Sequence, residues 1–169
     1  MMRMLQRSLL PLVLLLVSFT SIGSQASTGL VLDSSVTNLR LNGQLQFFED
    51  KSNRLRVEDI AQQLPAFQIY EKESVNEGYS SSAWWFSFQL YNNEQVPIHW
   101  WLDISYPLLD EVELYELDPA TGSIRSIAQT GDTRPLSSRS AKTSTFVFPL
   151  QLQPQREYRY LLRVWTTGT

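Results

Sequence analysis

Residues 82–117 read SAWWFSFQLYNNEQVPIHWWLDISYPLLDEVELYEL, and the alternation in this stretch decides the fold class. Successive side chains of a β-strand point to opposite faces, so each of its three runs divides by parity. In the first, Trp84, Phe86, Phe88 and Leu90 oppose Trp85, Ser87, Gln89 and Tyr91. In the second, Ile98, Trp100, Leu102 and Ile104 oppose His99, Trp101, Asp103 and Ser105; in the third, Val112 and Leu114 oppose Glu113 and Tyr115. One face is core. The other interleaves aromatic rings with polar groups, and a binding function has to be argued on that face.

Working outward, the same period recurs on both sides. Leu30–Leu32 reads as a first strand, and an Asn42-Gly43 turn hands over to a strand carrying Leu45, Phe47 and Phe48. Val57, Ile60, Ala61 and Leu64 follow the i, i+3, i+4, i+7 spacing of one helical face, and Pro65 ends that helix after about two turns. Phe67–Tyr70 reads as a short edge strand and Glu71–Ser81 as a charged loop. Downstream, Ile124 and Ile127 mark a weak strand and Thr130–Arg139 a loop. Phe146–Leu152 and Tyr158–Val164 alternate as two further strands. Roughly eight strands at intervals of about 8–12 residues with one short helix predict an all-β fold, an antiparallel β-sandwich of jelly-roll type.

The 169 residues, 43% hydrophobic and 18% charged, suit one domain with a sizeable core. Residues 1–26 are set apart from it. Arg3 and Arg7 precede an apolar run from Leu9 to Phe19, and Ser24 and Ala26 supply small residues at the −3 and −1 positions of a cleavage site. This is the pattern of a Sec signal peptide; the run is short for a membrane span, which needs roughly 20 apolar residues. Residues 1–26 carry two arginines and no acids, so their removal takes the net charge from −3 to −5. An acidic exported domain has no electrostatic basis for binding nucleic acid. The absence of cysteine excludes disulfides, thiolate nucleophiles and Cys-ligated zinc, and a single histidine, His99, excludes multi-His metal sites. No cofactor or resident metal is expected.

Five pieces, in order, carry a family resemblance: LQFFEDKSNRLRVEDI, SAWWFSFQLYNN, HWWLDISYPLLDEVELYEL, TGDTRPLSSR and FVFPLQLQPQREYRYLLRV. Together they resemble the second type of extracellular sensor domain found on bacterial seven-transmembrane receptors with diverse intracellular signalling modules. The likeness covers nearly all of residues 40–167. It departs from the family pattern at Ser87, where a basic residue is common. The resemblance implies a jelly roll similar to carbohydrate-binding modules, located in the periplasm as the non-enzymatic input of an inner-membrane receptor. It also implies a small-molecule or carbohydrate ligand, and a diguanylate cyclase or histidine kinase output in the full-length protein. On this reading residues 27–169 are the periplasmic sensor domain, the N-terminal part of a longer receptor. The alternative is a free-standing secreted carbohydrate-binding module.

The candidate ligand-binding residues are Trp85, Trp101, Asp103, Tyr115, His99 and Arg139. Flat rings stack on the apolar faces of sugars while Asp, His and Gln bond the hydroxyls. The same rings are also accounted for as cross-strand pairs that stabilise the sheet, or as rings covered by the N-terminal strand or a loop. His99 is either a general base or an ordinary strand-end histidine. Asp103, Asp110 and Glu111 are either oxygen ligands for calcium or a solvated turn. Arg139 is either a clamp for a carboxylate or phosphate, or the partner of Asp132 in an ion pair that pins its loop. Asn92 and Gly131 read as turn formers.

Overall fold

A computed structural model describes residues 29–41, 43–72, 80–141 and 143–167. The expected signal peptide, Asn42 of the expected turn and most of the charged 71–81 loop lie outside these residues. In chain order the elements are β1 (Leu30–Leu32), β2 (Gln46–Asp50), α1 (Val57–Gln63), β3 (Gln68–Ile69), β4 (Ala83–Asn92), β5 (Ile98–Ile104), β6 (Glu111–Leu117), β7 (Ile124–Thr130), β8 (Phe146–Leu152) and β9 (Glu157–Trp165). The three quoted runs are all strands, and the described residues hold nine strands where roughly eight were expected. Among these residues no helix is long and apolar enough to cross a membrane.

The strands form an unequal sandwich. The large sheet runs β3-β2-β4-β9-β6-β7, with β1 paired parallel to the end of β4 on the flank that β2 occupies nearer its start. The small sheet is β5 paired antiparallel with β8. Between the sheets lies the main core: Phe86, Phe88 and Leu90 of β4, Val112 and Leu114 of β6, Phe146, Phe148, Leu150 and Leu152 of β8, and Tyr158 and Tyr160 of β9. These are the parity sets that alternation assigns to the buried face.

The outer face of the large sheet is buried as well: the rings of β4 and β6 are covered, as one of the two sequence readings allowed, but by α1 rather than by the N-terminal strand or a loop. Val57 and Ile60 of α1, with Phe67 after it, close over Trp85, Tyr115, Leu117 and Leu161 in a second apolar cluster. This is why β4 is buried at nearly every position. α1 forms where its apolar spacing predicts. Asp59 Oδ2 accepts from the backbone N–H of Arg56 at 3.0 Å, and Glu58 and Asp59 place negative charge in the first turn. Pro65 then tightens the chain into a 3-10 turn over Leu64–Ala66.

The single aromatic-polar face inferred from parity is therefore corrected. β4 and β6 both flank β9 in the large sheet, whereas β5 pairs with β8 in the small one. Trp85 and Tyr115 lie on the outside of one sheet and Trp101 on the outside of the other. Parity sorts residues within a strand and is silent on which sheet the strand joins.

Entry into α1 is fixed by Asp50. Its buried carboxylate accepts from Ser52 N–H at 3.0 Å, Ser52 Oγ at 2.6 Å and Leu55 N–H at 2.9 Å. Burial alone raises its pKa, but these bonds outweigh burial and hold the carboxyl below its ordinary range. A depressed carboxylate pKa stabilises the fold above the unfolded-state value, and the contribution is lost as pH falls through the folded value. Asp50→Ala should cost about 2 kcal/mol at neutral pH. In thermal melts the gap between variant and parent should narrow below about pH 4; a gap that stays constant down to acid would remove the carboxylate from this role.

Candidate ligand-binding site

Among the depressions of the described residues, two bear on the six expected residues, which are divided among them and the surface. On the outer face of the large sheet, Trp85 is 1% exposed and its ring stacks on Tyr115 with centroids 6.3 Å apart. The Tyr115 hydroxyl donates to Glu113 Oε2 at 2.5 Å and accepts from Gln129 Nε2 at 3.4 Å. Burial, then the bond to the Glu113 carboxylate, pushes the Tyr115 pKa up to about 12, so its proton stays on at neutral pH. Directly across from Trp85 on β9 sits Arg163, 8% exposed. Its Nη1 donates to Glu111 at 2.7 Å and to Glu113 at 3.3 Å, and its Nη2 donates to Asn53 Oδ1. A depression of about 450 Å³ opens over these groups beneath the segment that enters α1.

The second depression, a cleft of about 640 Å³, is lined by residues of β8 and β5 from the small sheet and of β6, β7 and β9 from the large one. Its aromatic floor is Tyr158 and Tyr160, parallel to within 9°. Burial, then the nearby Glu116 carboxylate and Tyr158, raise the Tyr160 pKa. Arg125 Nη2 donates to the buried Glu116 at 2.5 Å and Arg156 Nη2 donates to Asp118 at 3.1 Å, so both signs of charge are fixed along one wall. Gln151 and His99 of the small sheet, with Gln153 just past the end of β8, supply further hydrogen-bonding groups. These groups can bind a polar neutral molecule by many weak bonds with no net charge requirement.

Of the expected residues, His99 lines this cleft. Trp101, 61% exposed, pairs across the small sheet with Pro149, which lines it too. Asp103 is exposed further along the same outer face. Arg139 stands apart. Its guanidinium lies 4.6 Å from the Phe146 ring centroid, donates to Thr143 O at 3.1 Å and sits 4.0 Å from Asp132, so it pins the loop before β8. Asp110 and Glu111 hold Thr167 and Arg163 respectively, and Asp103 belongs to the other sheet.

Sequence reasoning missed Glu116, Arg125 and Arg163. A signal existed for Glu116: it shares the parity of Val112 and Leu114, and a carboxylate on an apolar face needs a partner. Its partner comes from β7 across a register shift at Leu114/Tyr115, which alternation does not reveal.

No curated protein matches the chain. A family model described as 7TMR-DISM extracellular 2 matches residues 42–169, from the turn ahead of β2 through all of β9. The chain belongs to the 7TMR-DISM extracellular 2 family, the extracellular sensor domains of membrane receptors.

Proposed function

We propose that the protein is the ligand-sensing input of a membrane signalling receptor, and that it binds a small carbohydrate or similar polyhydroxyl molecule in the cleft between the sheets. The observation that carries this reading is the cleft itself: fixed donors and acceptors of both signs beside Trp101, whose ring is open to solvent one cross-strand pair from the cleft wall. A hydroxylated ligand satisfies many such groups at once, and an exposed indole stacks on its apolar face. His99 and Asp103 flank Trp101 on the same outer face and take the outlying hydroxyls. The domain is non-catalytic and acts by population shift, which requires the ligand to favour one receptor arrangement over another.

The remaining parts of the reading follow from that role. Residues 1–26 direct export and are removed, residues 27–169 fold in the periplasm, and the full-length protein continues into an inner-membrane part with a diguanylate cyclase or histidine kinase output. Several apolar runs of roughly 20 residues should follow Thr169 in the full-length gene product.

Calorimetry of the purified protein against a sugar panel tests the site. Trp101→Ala should weaken binding about tenfold. It should leave the thermal midpoint within about 2 °C, because exposed side chains contribute little to folding. Unchanged affinity with a large loss of stability would make the ring structural and overturn the assignment.

A further inference from the structure

The depression under the α1 entry segment differs in chemistry from the cleft. Both sites have a closed aromatic floor, but the cleft has the exposed Trp101 beside it. The rings here, Trp85 and Tyr115, are stacked and buried with no exposed ring in the lining, so the depression offers no flat face to a sugar. What it offers instead is fixed charge of both signs. Arg163 lies deepest between Glu111 and Glu113, and the rim carries Arg54, Arg56 and Glu58, so three guanidinium groups face three carboxylates. A lone anion meets the Glu pair and a lone cation meets the arginines; a molecule carrying both charges meets neither conflict.

Two further observations show that donors are held in reserve there. A guanidinium carries five N–H donors, and among the described residues Arg163 makes three hydrogen bonds, to Glu111, Glu113 and Asn53. Trp85, its cross-strand partner and part of the same wall, keeps its indole N–H without an acceptor although the side chain is 1% exposed. A buried donor without a partner carries a cost that a ligand oxygen removes. The cradle is also pre-shaped: the Asp50 bonds fix the loop that holds Asn53 over Arg163, with Asn53 at φ 51°.

We propose that this depression is a second binding site, for a small zwitterion of the α-amino acid class. The ligand carboxylate takes the spare donors of Arg163 and Trp85, and its ammonium donates to Glu111, whose side chain is 30% exposed and reachable from the rim. Its volume of about 450 Å³ falls in the range of small-molecule sites, roughly 300–1,000 Å³. The site lies on the opposite face of the large sheet from the cleft and stands or falls independently of it.

The test is isothermal titration of the purified protein with four probe sets: α-amino acids, the corresponding amines without a carboxylate, the corresponding acids without an amine, and neutral sugars. Amino acids should bind, while amines and acids should bind at least tenfold more weakly. Trp85→Phe keeps an aromatic ring of smaller size and removes the N–H, and in protein shown by melting to be folded should weaken amino-acid binding about tenfold with the sugar response unchanged. Glu111→Gln keeps an oxygen to accept from Arg163 while removing the charge, and should weaken it similarly, with thermal melts establishing that each variant is folded at the titration temperature. No heat and no thermal shift from any amino acid would overturn the proposal. So would equal binding of the acids without an amine, or wild-type affinity in both variants.

Discussion

Asn92→Asp should cost the protein about 3–5 kcal/mol, a large fraction of the stability of an ordinary domain. Asn92 ends β4 and is fully buried. Its Nδ2 donates to the carbonyls of Val96, Leu152 and Gln153, each at 3.0 Å, while its Oδ1 accepts from Glu94 N–H at 2.9 Å. One amide thus ties the end of a large-sheet strand to the turn before β5 and to the end of β8. The isosteric change puts an oxygen where the donor was, so a buried carboxylate faces three carbonyl oxygens. Its charged form is disfavoured, which raises its folded pKa, so the deficit relative to the parent should shrink as pH falls. Thermal melts should show the midpoint about 10 °C or more lower at neutral pH and recovering toward acid. A midpoint within about 3 °C of the parent at pH 7 would deny Asn92 this role.

Asn92 also shows what was legible in the sequence and what was not. Its position after an alternating run, followed by Asn93 and Glu94, identifies the end of a strand, and that much is local. Two of the three carbonyls that hold it come from residues some 60 positions later. The same division runs through the molecule. Strands and helix were readable because period and Pro65 act locally, and the main core followed from parity. The second core under α1 was not, because the residues of β4 facing it look polar-aromatic rather than apolar and only the packing of the helix explains Trp85. Trp101, with the same local signature, stays exposed because no described residue covers the small sheet there. Binding chemistry divides likewise: Trp101 and His99 announce themselves by residue type, whereas Glu116–Arg125 and Arg163–Glu111 exist as pairs only once β6, β7 and β9 are laid side by side.

Gly131→Ala carries the other large expected effect, because here the backbone itself occupies the space of a side chain. A Cβ at Gly131 would stand 1.9 Å from the Asp110 carbonyl oxygen and 2.9 Å from Glu111 Cα, and φ is 155°. That contact lets the loop after β7 lock onto the turn before β6: Asp132 N–H donates to Leu109 O at 2.8 Å and Thr133 Oγ1 to Asp110 O at 2.7 Å. Asp110 in turn accepts from Thr167 through its backbone N–H at 2.6 Å and its hydroxyl at 2.9 Å, so the chain after β9 is fastened to the same knot. Two backbones cannot part by more than an ångström without breaking these bonds, and overpacking plus backbone strain sum to about 3–5 kcal/mol. Gly122 supplies the control. It also has positive φ, 70°, but a Cβ there meets nothing within 4 Å, so Gly122→Ala should cost only about 1 kcal/mol. Urea unfolding of the two variants separates conformational strain from close approach, and amide exchange at Thr167 should accelerate in the Gly131 variant alone. Equal losses in both would mean that the left-handed backbone, rather than the contact with Asp110, is what glycine provides at position 131.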